Sequence, residues 1–394
     1  MYKNMWSNIF KETMEYPDYT FEKHFGKSTP SFPPRPVIRD YLEGRWTKGA
    51  NTDLKQYIEF NTAVRFVKFC DDKNEFTVTV NNLNTGDTRE EIFSHVIVAS
   101  GIFSTPNIPE VNGIENFQGR ILHSHDFRDA REFAGQKVLL IGAGFSGEDI
   151  ALQLLKYGGE RVLLSYKNIP KSYTCKLPDG IEERPMVERF DSQRAYFIDQ
   201  SCADIDAVIL TTGYKNYFPF LEGRFRICEE THLYPEGLYK AALYFQAGNN
   251  RLFYVGVQEP LVTFHKIEVI ANWTVKFIMG QLKDEPKSQA EMEADADFWR
   301  KKVSAITCLS DVAHVEMDLI EHLTELGGYN KEILKIRLMI LQLFRDRKET
   351  LGLAKYRDAS YRNIHSDEMA PKQTPFMKNF DESIDGYVNC KLKI

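Results

Sequence analysis

Short apolar runs that end at a glycine recur along this chain and predict buried strands. Four such runs lie at 96–101, 138–142, 207–213 and 252–256, and a further apolar run covers 161–165. A stretch with helical periodicity, 148–157, separates two of them. Strands that alternate with helices predict a parallel sheet with helix-covered faces, so the expected fold class is α/β.

Two other parts of the chain have a different pattern. Residues 75–80 alternate between apolar and polar side chains and precede a turn at 84–87, which predicts an antiparallel hairpin of the kind inserted between the halves of a nucleotide-binding domain. From about Pro286 onward the chain is charged and helical in its periodicity. Its apolar positions, expected to form core or interface, include Leu319, Ile320, Leu323 and Leu326. The tail from 366 onward is either an ordered arm or a loose end.

Length and composition limit the classes of protein. A chain of 394 residues suggests two domains, or one domain with a large insertion. Hydrophobic residues make up 43% and charged residues 27%, as in ordinary globular proteins. The net charge of −6 argues against broad electrostatic binding to nucleic acid. No apolar run approaches the roughly 20 residues that cross a bilayer, and the start lacks a signal peptide's apolar stretch. We therefore expect a soluble protein that binds neither nucleic acid nor a membrane.

Cysteine and histidine usage predicts the compartment and argues against metal chemistry. The six cysteines are scattered without a Cys-x-x-Cys pair, which is typical of reduced thiols in a cytoplasmic protein. The nine histidines show no His-Glu-x-x-His and no close Cys/His grouping. His123 and His125 could share one face of a strand, but their neighbourhood offers no further ligands. No metal is expected.

The segment 142–147 reads G-A-G-F-S-G, follows a predicted strand and opens a predicted helix. In this context G-x-G-x-x-G is the dinucleotide-binding fingerprint. Gly142 permits the tight turn, Gly144 lets the backbone approach a pyrophosphate, and Gly147 lets the helix pack on the strand. Phe145 and Ser146 begin the helix, whose N-terminus favours phosphate. The alternative is a glycine-rich turn without a ligand.

The end of the next strand indicates which dinucleotide binds. An NAD site usually has Asp or Glu about 20 residues beyond the first glycine, where it bonds the ribose 2′-hydroxyl. Here that region contains Ser165 and Lys167 and no acid. A hydroxyl and an ammonium suit a 2′-phosphate, so NADPH is favoured. The alternative for Lys167 is a solvated surface lysine.

Three motifs give the chain a family resemblance. Segment 117–127 has the pattern F-x-G-x-x-x-H-x-x-x-F and resembles the identifying motif of class B flavoprotein monooxygenases, in the version of the flavin-containing monooxygenases. Segments 99–106 and 210–214 resemble the two linkers between that family's nucleotide domains. The resemblance covers almost the whole chain. It is greatest to bacterial trimethylamine monooxygenases, which share segment 356–361 and part of the tail.

The resemblance implies a domain organisation. Two Rossmann-like nucleotide-binding domains are expected, with a helical C-terminal part. The FAD-binding domain would comprise 1–104 and 216–394, the second part including the C-terminal helices. The NADPH-binding domain would be inserted between them, at 105–215.

The resemblance also implies an activity, with FAD and NADPH as cofactors. NADPH would reduce FAD, oxygen would form a flavin C4a-hydroperoxide, and an amine or sulfide would take up the distal oxygen. The expected partners are a small trimethylamine-like substrate and oxygen, and a homodimer is one expected assembly. Two alternatives stay open. One is a truncated, non-catalytic NADP(H)-binding protein, and the other is a Baeyer–Villiger monooxygenase, which usually carries Trp where this chain has Phe127.

Individual residues take roles from the resemblance. Asn8 would lie near the flavin's reactive carbon, where its neutral amide could hold oxygen and the nicotinamide. Its alternative role is to cap a helix. Arg357 would reach NADP, although composition alone suggests a helix-surface charge. The cofactor-binding residues expected on this basis are Trp6, Asn8, Val64, Gln258, Thr263 and Arg357.

The chain departs from the family pattern in two places. The family opens with an FAD-binding unit that carries its own G-x-G-x-x-G, whereas Met1 matches an internal position. We therefore expect the FAD pyrophosphate loop to be absent and the strands that pair with it to be exposed. A truncated gene model or fragment, or a short isoform without FAD binding, would explain this. In addition, Pro260, Leu261 and Val262 stand where trimethylamine monooxygenases tend to be aromatic, although Trp273 remains. Fewer rings argue against trimethylamine itself, but not against N- or S-oxygenation.

Overall fold

The computed structural model describes residues 1–49, 53–167, 175–246, 248–259, 261–282, 288–373, 375–378 and 381–389. Within these ranges the chain is a mixed α/β protein with parallel strands and a helical C-terminal part, which confirms the predicted fold class. No helix in them is both long enough and apolar enough to cross a membrane.

Strands dominate the first two thirds of the chain and helices the last third. The strands are β1 (Thr62–Cys70), β2 (Glu75–Asn82), β3 (Thr88–Phe93), β4 (Val96–Val98), β5 (Thr105–Pro106), β6 (Arg120–His123), β7 (Lys137–Ile141), β8 (Arg161–Ser165), β9 (Ile181–Arg184), β10 (Val187–Phe190), β11 (Arg194–Phe197), β12 (Cys202–Asp204), β13 (Ala207–Leu210), β14 (Tyr214–Lys215), β15 (Leu238–Tyr239), β16 (Leu243–Tyr244) and β17 (Leu252–Tyr254). The helices are α1 (Phe21–Phe25), α2 (Arg35–Gly44), α3 (Phe145–Lys156), α4 (Thr263–Ile278), α5 (Gln289–Ser304), α6 (Leu309–Gly327), α7 (Ile336–Arg345) and α8 (Ile384–Val388).

A five-stranded parallel sheet holds three of the predicted strands. Its order is β6-β13-β7-β8-β9, and α3 connects β7 to β8. Ala207 in the middle of the sheet lies opposite both Arg120 and Val138, and Val138 lies opposite Val162. The side chains of Val138 and Ala207 are fully buried, as expected for strands covered on both faces. For this sheet, continuous apolar runs in the sequence correctly predicted buried parallel strands.

The predicted hairpin is part of a three-stranded antiparallel sheet, β1-β2-β3. A second sheet has the order β15-β16-β17-β4, in which β4 pairs in parallel with β17. The run 96–101 was predicted to be a buried strand, and this is wrong for Ile97, whose side chain is 45% exposed. β4 is an edge strand among the described residues, so apolar composition did not imply burial on both faces.

The helices after residue 288 confirm the helical C-terminal part. Leu319, Ile320 and Leu323 on α6 are buried, as predicted, and α6 packs against α4. α1, α2 and α4 were not predicted. α4 was missed because it mixes its apolar side chains with His265 and Lys266, both of which are buried.

The tail is an ordered arm where the structure describes it. Phe376 is fully buried beside Trp6, with ring centroids 5.7 Å apart. Farther along, α8 carries Tyr387, which is 2% exposed and donates its hydroxyl hydrogen to the carbonyl of Pro30. The arm therefore packs on the N-terminal segment, which decides between the two predicted states.

A buried ion pair fixes the start of α4. Lys266 donates to Glu316 of α6 over 2.8 Å, and each side chain is 2% exposed. The same carboxylate accepts the backbone N–H of Leu261 at 3.1 Å and that of Val262 at 2.9 Å. Since a buried charge is stable only when its partners satisfy it, Glu316 holds the chain that enters α4 in one conformation.

We expect Glu316→Ala to destabilise the protein by about 3–5 kcal/mol, because it leaves the Lys266 ammonium buried and unpaired. Glu321→Ala on the same helix is the control. Glu321 forms a half-exposed pair with Arg337 at 3.0 Å, so its loss should cost about 1 kcal/mol or less. Urea unfolding followed by tryptophan fluorescence measures both, and equal losses would contradict the role given to Glu316.

Candidate functional site

The loop between β7 and α3 has the shape of a phosphate-binding turn. Gly142 has φ +113°, and a Cβ there would lie 2.4 Å from the carbonyl oxygen of Thr211. A Cβ at Gly147 would lie 2.1 Å from the carbonyl oxygen of Gly142, so the helix packs tightly on the strand. A Cβ at Gly144 would have no atom within 4 Å. The first and third glycines are thus required by packing, whereas the second faces open space where a pyrophosphate would fit.

Thr211 holds this loop from the neighbouring strand. Its hydroxyl lies 2.6 Å from the carbonyl oxygen of Gly142 and 3.0 Å from that of Ile141. The start of α3 is open, because Gly144 is its N-cap and provides no side-chain cap. Phe145 is 38% exposed, and Ser146 is partly exposed. The uncapped N–H groups of the first turn can therefore bind an anion.

Two buried acids lie near the start of α3, Glu148 in its first turn and Asp149 directly after it, and each is paired with an arginine. Glu148 binds Arg347, and Asp149 binds Arg357 with 3.0 Å between Oδ1 and Nη2. All four side chains are almost completely buried. Unpaired carboxylates here would repel a pyrophosphate, so the two guanidiniums keep the site suitable for an anion.

Arg357 is not the surface charge that composition suggests. It is 2% exposed, and its Nε donates to the carbonyl of Ser7 at 2.8 Å, while its Nη2 binds Asp149. Its Nη1 has no hydrogen-bond partner among the described residues. Tyr2 donates to the other oxygen of Asp149 at 2.7 Å, and burial followed by the Asp149 charge raises the pKa of Tyr2 well above its usual value. Arg357 therefore joins the segment containing Trp6 and Asn8 to the helix of the phosphate loop.

Asn8 does not cap a helix. The 3₁₀ turn Lys11–Thr13 begins after Asn8 and has Phe10 as its N-cap. Asn8 is partly exposed, and its amide has no hydrogen bond within the described part of the chain. Trp6 beside it is 7% exposed, and its indole Nε1 has no partner there. Both residues thus offer uncommitted polar groups, which fits a ligand contact.

Of the two residues predicted to contact the 2′-phosphate, one is buried and hydrogen-bonded within the protein and the other is exposed. Ser165 is fully buried, and its hydroxyl donates to the carbonyl of Pro185 at 2.7 Å. Lys167 is exposed, and the residues that follow it, 168–174, lie outside the described ranges. Arg184, which was not predicted as a site residue, ends β9 directly opposite Ser165. It could have been predicted from the sequence as a basic residue at the end of the strand that follows β8.

The residues predicted to line the flavin are separated along the chain. Gln258 is 2% exposed and donates its amide to the carbonyl of Ala241. Thr263 is the first residue of α4, next to Leu261 and Val262, whose N–H groups Glu316 fixes. Val64 lies on β1 with 44% of its side chain exposed. Pro260 lies outside the described residues. These roles stay predictions.

Comparisons with known proteins identify relatives over nearly the whole chain. The family model described as flavin-binding monooxygenase-like matches residues 1–173 and 167–353. A trimethylamine monooxygenase of Methylocella silvestris is 38% identical over 392 residues, which cover 99% of this chain and 84% of the relative. Senecionine N-oxygenase of Tyria jacobaeae is 30% identical over 287 residues, which cover 72% of this chain and 60% of that protein. Among solved structures, Tmm from a Pelagibacter species has a TM-score of 0.91 at 34% identity, covering 98% of this chain and 86% of that one.

The glycine geometry predicts opposite effects for two similar substitutions. Gly144→Ala should fold normally, because its Cβ meets nothing and its φ of −78° suits alanine. It should weaken NADPH binding by roughly tenfold or more, about 1.4 kcal/mol, because the new methyl group occupies the space of the pyrophosphate.

Gly147→Ala is the matched control, because its Cβ would collide with the backbone of Gly142. It should lower the thermal unfolding midpoint, which Gly144→Ala leaves unchanged. Isothermal titration with NADPH and thermal unfolding separate the two effects. Unchanged affinity in Gly144→Ala would rule out this loop as the pyrophosphate site.

Proposed function

The chain belongs to the flavin-binding monooxygenase-like family, and we propose on this basis that it N-oxygenates a small tertiary amine. It is an NADPH- and FAD-dependent monooxygenase, as its family and relatives show. When bound, FAD activates oxygen and NADPH provides the reducing equivalents. The protein's own residues bind, orient and enclose these groups.

The observation that supports this function most directly is the Arg357 network. It connects the phosphate loop helix through Asp149 to the backbone of Ser7, between Trp6 and Asn8. A pyrophosphate on the loop and a nicotinamide near Asn8 would therefore be held by one rigid set of contacts. Such positioning is what a monooxygenase requires of its protein, because the cofactors carry out the difficult chemistry.

The nature of the substrate is proposed from two relatives and from the residues before α4. Both relatives are named for amine chemistry, trimethylamine monooxygenase and senecionine N-oxygenase. In this chain Leu261 and Val262 are buried aliphatic residues, and Trp273 is 1% exposed, with its ring 5.2 Å from that of Phe277. Trp273 thus serves the core and does not supply a cation–π contact to a ligand. We therefore favour uncharged tertiary amines, with sulfides as the second class.

A substrate panel tests the proposal. Protein incubated with FAD and NADPH should oxidise NADPH faster with a tertiary amine than with cyclohexanone, and mass spectrometry should detect the N-oxide. Faster turnover of the ketone would favour the Baeyer–Villiger alternative. NADPH binding without amine-dependent oxygen consumption would favour the non-catalytic alternative. Phe127, the residue that argues against ketone oxidation, is fully buried and packs on Tyr2 with 5.3 Å between the rings.

Compartment and assembly belong to the same proposal. We place the protein in the cytoplasm because the cysteines that the structure describes are free thiols. Burial raises the pKa of the Cys175 thiol to about 12, so that thiol is unreactive at neutral pH. The homodimer stays a prediction, which light scattering on the FAD-loaded protein would test.

Lys167→Ala should weaken NADPH binding by about 1.5–3 kcal/mol, roughly ten- to hundredfold, because it removes a charge-assisted bond to the 2′-phosphate. NADH, which lacks that phosphate, should bind equally well to both proteins. Lys73→Ala, which alters an exposed lysine before β2, is the control. Equal losses for both dinucleotides would remove Lys167 from this role.

Asn8→Ala should lower N-oxide formation roughly 100-fold, because a preorganised amide near the reacting oxygen is lost. NADPH should still be consumed, and hydrogen peroxide should replace the product. Asn84→Ala in the β2–β3 turn is the control. The ratio of N-oxide formed to NADPH consumed measures the effect, and an unchanged ratio would argue against a catalytic amide at this position.

A further inference from the structure

A second group of chemically active side chains includes none of the residues discussed so far. Cys228, Glu230 and His232 each present one ligand atom, and these atoms all lie within 4.8 Å of one another. All three residues are exposed. We infer that this group, the Cys228 cluster, is a binding site for a borderline-soft divalent cation such as Zn²⁺.

The combination of ligand types selects the cation. A thiolate, an imidazole and a carboxylate are the three donors that zinc takes in proteins. Mg²⁺ and Ca²⁺ require sites composed almost entirely of oxygen ligands, so they should not compete. Three protein ligands leave the fourth tetrahedral position to water, as in open zinc sites.

The geometry is already close to that of a zinc site. Glu230 Oε2 and His232 Nε2 are 3.7 Å apart. Ligand atoms around tetrahedral zinc lie about 3.3–3.8 Å from one another, given bonds of about 2.0–2.3 Å. The remaining atoms must therefore move by only about 1 Å, which exposed side chains achieve by small rotations.

The backbone that carries the ligands is held in place from behind. The side-chain amide of Asn216 donates to the backbone carbonyls of Cys228 at 3.1 Å and Glu230 at 3.0 Å. The backbone N–H of Asn216 donates to the backbone carbonyl of Glu229 at 2.7 Å. Asn216 itself is 3% exposed. A fixed backbone lowers the entropy that is lost when three side chains gather around an ion.

The other end of the cluster is also fixed. The carbonyl of His232 accepts the N–H of Glu259 at 2.9 Å. Segment 228–232 is therefore bonded at both ends to ordered parts of the chain and is not a loose surface loop. No metal was expected from the sequence, because Cys-x-x-Cys and His-Glu-x-x-His are absent and no close Cys/His grouping was recognised; the last point is wrong for Cys228 and His232, which stand four residues apart. The available signal was the spacing Cys228-x-Glu230-x-His232.

Zinc titration of tag-free, reduced protein against a chromogenic chelator tests the inference. One equivalent of Zn²⁺ should bind with at least tenfold higher affinity than to Cys228→Ser or His232→Ala. Cys202→Ser, which removes an exposed thiol on β12, is the matched control and should bind like the unmodified protein. A hundredfold excess of Mg²⁺ should not displace the zinc.

Substitution with Co²⁺ gives an independent readout. The unmodified protein should show a thiolate-to-cobalt charge-transfer band, and Cys228→Ser should lack it. Zinc affinity that is the same in Cys228→Ser and the unmodified protein, or absence of the band, would overturn the inference. Neither measurement requires FAD, NADPH or turnover, so failure here is independent of the proposed oxygenation.

Discussion

The arrangement of this protein depends on a buried ion pair between Arg357 and Asp149. A guanidinium without solvent is stable only if neighbouring groups replace its hydration, and here they come from distant parts of the sequence. Asp149 belongs to α3, Ser7 to the N-terminal segment, and Gln373 to the C-terminal arm, whose amide donates to the carbonyl of Arg357 at 2.6 Å. The ring of Phe376 completes the enclosure at 4.6 Å from the guanidinium. Arg357, through its side chain and its backbone carbonyl, thereby connects α3, the N-terminal segment and the C-terminal arm.

The second pair, Arg347 with Glu148, shows why the acids at the start of α3 need arginine partners. Acidic residues in the first turn of a helix stabilise it, since they complement the helix dipole. The same charges oppose the binding of an anionic cofactor at that helix. Two arginines from the C-terminal part resolve this conflict, because they neutralise the acids within the core and leave the backbone N–H groups for phosphate. Arg347 lies 4.9 Å from the ring of Phe145 at the start of α3. The same arginine thus neutralises an acid near the anion site and packs on the start of α3.

The difference between what the sequence predicted and what it did not has a physical cause. Strands β7, β8 and β13 and the glycine loop were predictable because their signals are local, an apolar run followed by residues with special backbone requirements. Ser165 was interpreted as a phosphate ligand from its position alone, whereas its hydroxyl is bonded to Pro185, 20 residues away. Arg357 gave no signal of burial because its partners lie 208 and 350 residues from it. Helix α4 was missed for a similar reason, since its buried Lys266 is acceptable only beside Glu316.

The two segments 99–106 and 210–214 carry the chain between the β4 sheet and the five-stranded sheet, and the second of them also contacts the phosphate loop. The chain leaves the β4 sheet through β5 and returns through β14, and these two short strands pair, with Lys215 opposite Thr105. Gly213, at φ +80°, accepts the N–H of Asn107, and the hydroxyl of Thr212 lies 2.6 Å from the carbonyl oxygen of that residue. Thr211, one residue earlier, holds Gly142. A change in the crossing would therefore pass directly into the phosphate loop through a single side chain. Consecutive residues, Thr211 to Gly213, thus hold both the phosphate loop and the crossing of the chain.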